Sequence, residues 1–466
     1  MSEFITYPLS PLDWLMPRSY INHIICFAAS SSSAPEVLRR GLADTLRDIP
    51  YLASEIVDQE YPKGSIALSE RRFSVDDLFR VRDLSTATYY TDLRAQDFSP
   101  SSLKGLDSFL EDFVPGGSCS PVFRAVFLLL NGGSVLSVSV HHSTTDITGF
   151  GALLEIWASH CSPHSSQPIG FSADWLDRRA LLPPSSVAPN AALINLPTML
   201  HIEVADSGKK SRGHDNAEHL DTLIFKFSGD ALRGLKDEVT KHLDTCEVPW
   251  VSTSDVLYGL LWSAVIYAED QERMGATTLD VAQRGTSDQK EERRMRFPVN
   301  VRSRLRPPLP KNYLGSAFGV ALATVDDKDL IEIITKDADG SIAALARVAA
   351  VIRKSIITVD NEAVEEVVTF LAAQDDLIGF KLGQQATNLS IVSWADENVY
   401  NLDWGKEIGR CEAVRIPALK NKRYPVILPR RLNGDLEFFV CFNKSTMDVF
   451  KEVLNSHYSN LSQFMK

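Results

Sequence analysis

The sequence predicts an α/β protein built as two similar-sized mixed-sheet domains, and three observations carry that prediction. The chain has 466 residues, long for one core when roughly 150 residues make a typical domain. Strand-like and helix-like segments are interleaved in both halves rather than segregated, which favours α/β domains over a bundle or a sandwich. Between the halves, Pro183 to Asp221 concentrates proline, small and charged residues and reads as a long surface crossover. These divisions place a first domain at residues 1–185, the crossover at 186–220 and a second domain at 221–466.

In the first half, Leu38, Leu42, Leu46 and Ile49 recur at helical spacing. Phe123 to Leu130 is an apolar run of strand length, and Ser134 to Val140 alternates with period two. After the crossover, DTLIFKFSGD reads as a strand and DALRGLKDEVTKHL as a helix. Ser252 or Ser254 is placed to cap a helix through VLYGLLWSAVIYA. Helical stretches follow at Ser341 to Ile357 and Glu362 to Ala373, then strand-like pieces at Leu389 to Trp394 and Leu436 to Phe442. No internal repeat interrupts this order.

Composition narrows the function classes. A hydrophobic fraction of 44% with 23% charged residues is ordinary for a globular chain and excludes disordered and fibrous classes. The formal net charge of −12 argues against nucleic acid or an anionic membrane as the main partner. The local cluster Arg293, Arg294 and Arg296 reads as a solvated face before it reads as an anion site. Six cysteines stand far apart, without C-x-x-C or metal-ligand spacing, as buried thiols of a reducing compartment do. The start MSEFITYPLSPLDWLMPRSY lacks the charged-then-apolar pattern of a signal peptide, and no apolar run is long enough to span a bilayer. A soluble, cytoplasmic protein is expected.

Chemistry concentrates in SVSVHHSTTDITGFGALLEIWA, Ser137 to Ala158. If the strand runs on through the histidines, Leu136, Val138, Val140 and His142 share one face, while Ser137, Ser139 and His141 share the other. His142 then leaves the more apolar side, where desolvation keeps an imidazole neutral, as a general base requires. Asp146 or Thr148 is a candidate cap for a helix from Gly149 to His160, with Phe150, Leu153, Leu154, Trp157 and Ala158 on one face. With ten histidines, about one H-x-x-x-D arises by chance, so the weight rests on the strand, tight loop and helix around it.

With these residues in view, the sequence resembles the BAHD acyltransferases, in the fungal natural-product branch that includes the trichothecene acetyltransferases. HHSTTD is similar to their H-H-x-x-x-D signature and VSTSDVLYGLLW to their S-T-x-D segment. PVNVRSRLRPPLPKNYLG is similar to N-x-R-x-R…PPLP…G, and VSWADENVYNLDWG to the segment carrying D-F-G-W-G. The last departs from the family: the chain reads Asn401-Leu402-Asp403-Trp404-Gly405, with the acidic residue displaced by two positions. Ser316 stands where asparagine is common, and Ile147 where glycine often follows H-x-x-x-D.

The resemblance implies a chloramphenicol acetyltransferase-like fold with the active site between the domains. It implies acyl transfer, acetyl by default, from an acyl-CoA co-substrate to a hydroxyl of a small-molecule acceptor, a fungal secondary metabolite. No metal, nucleic acid or membrane is implied, and a monomer is expected. His142 is the general base of a direct transfer, and no G-x-S-x-G elbow suggests an acyl-enzyme. Asp146 orients the loop through an arginine, Arg302 or Arg304. Asp403 is structural, reaching an arginine from a shifted backbone; His141 is support; Trp404 and Gly405 are architectural packing near the domain junction. Ser252 and Thr253 are equally pantetheine or phosphate contacts or simple helix caps. Competing readings are a same-fold enzyme turned to CoA-independent cyclisation, rearrangement or elimination, a binding protein that has kept the pocket, and a condensation domain fed by a carrier protein.

Overall fold

Gly133–His141 is the middle strand of a five-stranded sheet and is buried along its whole length, on both faces. Its alternating pattern reflects two different coverings. Leu136, Val138 and Val140 meet the helices Ala34–Asp48 and Ile147–Cys161 in one core. On the other face Val135 joins Ile24, Val126, Leu128, Tyr90 and Phe98 in a second cluster, and the Ser139 hydroxyl donates to Asn22 Oδ1 at 2.6 Å. The computed structural model describes residues 8–28, 31–106, 120–162, 170–182, 202–204, 220–276, 292–378, 380–382, 389–419 and 422–461. Most of the crossover read at 186–220 lies outside them; within it, Ile202–Val204 pairs antiparallel with Phe380–Leu382.

Strand order in the first sheet is Ala413–Arg415, Tyr20–Phe27, Gly133–His141, Phe123–Leu130, Phe79–Asp83. All pairs are antiparallel except the last. The helix predicted from Leu38 to Ile49 is present at Ala34–Asp48, and Trp157 of the facing helix donates its indole N–H to Leu38 O at 3.0 Å. That bond satisfies a buried donor and fixes how the two helices lie.

The second half has a three-stranded sheet, Phe318–Asp326, Glu292–Asn300, Leu389–Ser390, and a four-stranded sheet, Val392–Ser393, Val426–Ile427, Leu436–Phe442, Asp221–Phe227. Residues 389–393 run from one into the other. Helices Thr253–Ala276, Ala338–Ile357 and Lys444–Leu461 close over a single apolar core. The molecule is an α/β protein of two domains.

One division read from the sequence needs correction. The strand Ala413–Arg415, inside the span 221–466, pairs with Tyr20–Phe27, Ile24 opposite Arg415 and Cys26 opposite Ala413. The preceding segment lays Trp404 in the first core, edge-on to Trp157 at 5.4 Å and Phe27 at 6.1 Å. Trp404 is therefore packing within the first domain rather than at the junction. Gly405 follows with φ +88°, and a Cβ there would stand 2.8 Å from Cys161 O, so both the turn and the close approach require glycine. Arg415 is fully buried; it pairs with Glu437 of the other domain at 3.0 Å and donates to Asp97 O and Phe98 O.

Arg293 is also buried, held by Asp270 and Asp327, so the arginine cluster is not wholly a solvated face. Cys26, Cys161, Cys411 and Cys441 are buried free thiols as read, whereas Cys246 is exposed; Cys119 lies outside the described residues. No described helix is long and apolar enough to cross a membrane.

Candidate active site

The strand stops at His141, one residue short of the alternation argument, and His142–Thr144 forms a single 3-10 turn before the helix Ile147–Cys161. The His142 amide donates to Ser19 O at 2.8 Å. Its ring turns along the loop rather than across the sheet: Nδ1 lies 3.1 Å from Thr145 O. A carbonyl can only accept, so this contact puts the ring proton on Nδ1 and leaves the lone pair on Nε2. Burial lowers the pKa of His142, partly opposed by the Thr145 hydrogen bond and the Asp146 charge. Burial thus favours the neutral imidazole, and the Thr145 contact favours the tautomer protonated at Nδ1.

Asp146 faces away from that imidazole. Its Oδ1 caps the helix through Gly149 N at 2.9 Å and accepts from Arg302 Nη2 at 2.8 Å. Its Oδ2 accepts from Arg302 Nη1 at 2.8 Å and Ala317 N at 2.9 Å. Burial pushes the carboxyl pKa up, but Arg302 and these N–H donors outweigh it and hold Asp146 below the usual carboxylate range. Arg302 Nη2 also reaches Tyr313 O and Gly315 O. The two open candidates are thereby separated: Arg302 takes Asp146, while Arg304 caps the carbonyls of Ile356 and Val359.

His141 is buried edge-on against Tyr20 at 5.2 Å, and its Nδ1 accepts from Ser143 N at 3.3 Å. Burial first, then the charges of Arg18, His142 and Arg124, lower its pKa to about 4. The His141 ring is thus packed and hydrogen-bonded within its own loop.

A family model described as "Transferase family" matches residues 120–456, and one described as "Trichothecene 3-O-acetyltransferase-like N-terminal domain" matches residues 20–161. The chain belongs to the Transferase family. It is a BAHD-type acyltransferase of the trichothecene acetyltransferase-like branch. O-acetyltransferase ptmV of Penicillium ochrochloron is 24% identical, over 92% of this chain and 90% of its own. O-acetyltransferase astG of Aspergillus oryzae is 26% identical, over 89% and 93%. The fold is similar to F. graminearum TRI101 complexed with coenzyme A and T-2 mycotoxin, TM-score 0.74 at 18% identity, covering 96% and 97% of the two chains. It is also similar to vinorine synthase, TM-score 0.63 at 17% identity, covering 98% and 94%.

Other residues expected of this transferase fall in different places. Asp403 is exposed and accepts from Gly405 N at 3.0 Å. Among the described residues it forms no ion pair with an arginine, because its side chain closes its own turn. Ser252 is the cap of the long helix: its Oγ accepts from Asp255 N at 3.2 Å while Asp255 Oδ2 accepts from Ser252 N at 2.6 Å, a reciprocal capping box. Thr253 opens the first turn. Asp255 pairs in addition with Arg353, which lies over the exposed ring of Trp250 at 4.0 Å. Among the described residues no group of three or more His, Cys, Asp or Glu is arranged to hold a metal ion.

Sequence reasoning missed Asp13 and Arg178. They form a buried ion pair beside the His142–Asp146 loop, and Arg178 Nη2 donates to Thr144 O at 2.7 Å. The Ser10-x-x-Asp13 capping pattern was a legible local signal, and the box is formed. Nothing local pointed to a partner 165 positions away.

Proposed function

We propose that the protein transfers an acyl group, acetyl by default, from acyl-CoA to a hydroxyl of a fungal secondary metabolite. His142 Nε2 takes the hydroxyl proton as the oxygen attacks the thioester carbonyl. The C–S bond then breaks, and the proton passes to the departing CoA sulfur, giving an ester and free CoA. The observation that carries this reading is the 3.1 Å contact of His142 Nδ1 with Thr145 O, which commits Nδ1 as donor and leaves Nε2 with its lone pair. Asp146, saturated by four N–H donors, holds the loop and takes no proton. The coenzyme A bound in the similar TRI101 structures supports the co-substrate, and the acetyltransferases among the relatives support the acetyl default.

Ser252 and Thr253 contribute to acyl-CoA binding in this reading. The Ser252 hydroxyl accepts a capping bond and still has its own proton to donate, and both residues are half-buried. The chemistry needs no metal, nucleic acid or membrane, and the enzyme works as a cytoplasmic monomer.

The test is to incubate the protein with acetyl-CoA and longer acyl-CoAs plus a hydroxylated metabolite extract, following thiol release and acylated masses beside a His142→Ala control. Acceptor-dependent thiol release that the control lacks supports the reading. Metabolites that change mass or isomer without acyl-CoA turnover would replace it with a CoA-independent reaction on the same fold.

A further inference from the structure

Two buried carboxylates of the first domain, Asp13 of the helix Pro11–Leu15 and Asp146 at the head of the helix Ile147–Cys161, hold adjacent backbone amides of the second. Asp146 Oδ2 accepts from Ala317 N at 2.9 Å, and Asp13 Oδ1 accepts from Ser316 N at 3.0 Å. Each carboxylate has its own buried arginine, Arg302 for Asp146 and Arg178 for Asp13. Arg178 lies over the Tyr51 ring at 5.2 Å, sends Nη1 to Asp13 Oδ2 at 3.2 Å and Nη2 to Thr144 O at 2.7 Å. A guanidinium can serve two such acceptors at once because its donors are fixed in a planar fork.

The consequence lies at Thr145, whose carbonyl sets the His142 tautomer. The peptide before Thr145 is gripped at Thr144 O by Arg178. The peptide after it leads into Asp146, gripped by Arg302, Gly149 N and Ala317 N. Thr145 is thus fixed from both sides, by two ion pairs that share no residue. We propose that the Asp13–Arg178 pair is a second positioning device for the general base, acting through Thr144 O to keep Thr145 O on His142 Nδ1. This rests on His142 being the base. It adds two residues, outside H-x-x-x-D and its arginine, to those that set the rate. Without the grip at Thr144 O the intervening peptide can rotate, and Thr145 O leaves Nδ1. The ring proton then distributes between both nitrogens, and part of the enzyme presents Nε2–H, which cannot accept the acceptor's proton.

Arg178→Lys keeps the charge opposite Asp13 and removes the fork. Asp13→Asn/Arg178→Met removes both charges together, so neither ion is stranded. Each variant is compared with the wild-type enzyme by kcat and KM for thiol release from acetyl-CoA, and by the ¹⁵N shifts of His142. We expect folded variants with kcat down by about tenfold to a hundredfold, KM within about threefold, and His142 shifted from the Nδ1–H form toward a mixture. A folded variant with wild-type kcat and wild-type His142 shifts would overturn the proposal. Failure of both variants to fold would also overturn it, because the pair would then serve the fold alone. If the wild-type enzyme turns over no acyl-CoA, the functional reading falls while the ¹⁵N comparison still decides the positioning role.

Discussion

Asp146 and Arg302 meet through two parallel N–H···O contacts of 2.8 Å, across 156 positions of sequence. The pair ties the loop that carries His142 to the second domain, and its geometry turns the carboxylate away from the imidazole it follows in sequence. The aspartate of this H-x-x-x-D joins the loop to Arg302 and Ala317 and makes no contact with the imidazole.

Removing one partner leaves the other charge buried. Asp146→Ala is expected to destabilise the fold by about 3–5 kcal/mol, read as a fall in the urea midpoint at constant slope. Arg304→Ala should lose less, about 1–3 kcal/mol, since it removes bonds to two helix-end carbonyls and strands no buried charge. Equal losses would show that the Asp146 pair is not the dominant contact.

The proposed transfer makes the rate depend on pH through His142. Burial lowers the pKa of His142 from its ordinary 6.5, and a general base acts in its unprotonated form. The kcat/KM profile should rise with pH and level off with an acid-limb midpoint below 6.5. A midpoint above that value would contradict a buried base.

His141 adds a separate stability effect. Its folded pKa of about 4 lies below the ordinary 6.5, so as pH falls through this range the unfolded chain takes up a proton the native chain refuses. Stability should therefore fall between pH 6.5 and 4, with no contribution from this residue above the upper value. His141→Gln should flatten that part of a plot of unfolding free energy against pH; an unchanged slope would assign the loss elsewhere.

At the other hallmark segment the two neighbours should behave differently. Gly405→Ala puts a side chain at positive φ against Cys161 O, and about 2 kcal/mol of destabilisation is expected from strain alone. Asp403→Ala removes one exposed turn bond, worth about 1 kcal/mol or less. Thermal unfolding separates the two, and matching Tm shifts would show that the turn is not glycine-dependent.

Most of this architecture was legible because its signals are local. Alternation over Ser134 to Val140 lies within the strand Gly133–His141, helical spacing over Leu38 to Ile49 and Ser341 to Ile357 finds the helices Ala34–Asp48 and Ala338–Ile357, and of the two candidate caps, Ser252 and Ser254, Ser252 takes the role. His142 and Asp146 stood out by their context, a strand, a tight loop and a helix. Beyond that reach the sequence was ambiguous. Arg302 and Arg304 are two residues apart, and only the turn after Asn300 decides which one faces the loop. Asp13 and Arg178 carry no shared pattern because their meeting depends on how the chain ends fold across the first domain. The exit of the strand at His141 was hidden too, since alternation does not say where pairing stops.

The strand Ala413–Arg415 has a consequence for how the chain is made. Tyr20–Phe27 is translated early, yet its outer neighbour and the indole that fills the core beside Trp157 come from residues 404–415. Until that stretch has left the ribosome, the nascent first domain has an unpaired edge at Ile24 to Cys26 and a tryptophan-sized gap in its packing. Contacts so distant in sequence are slow to form and leave sticky surface uncovered meanwhile. A fragment ending at residue 185 should therefore aggregate when expressed alone, and supplying residues 221–466 as a separate chain should rescue it.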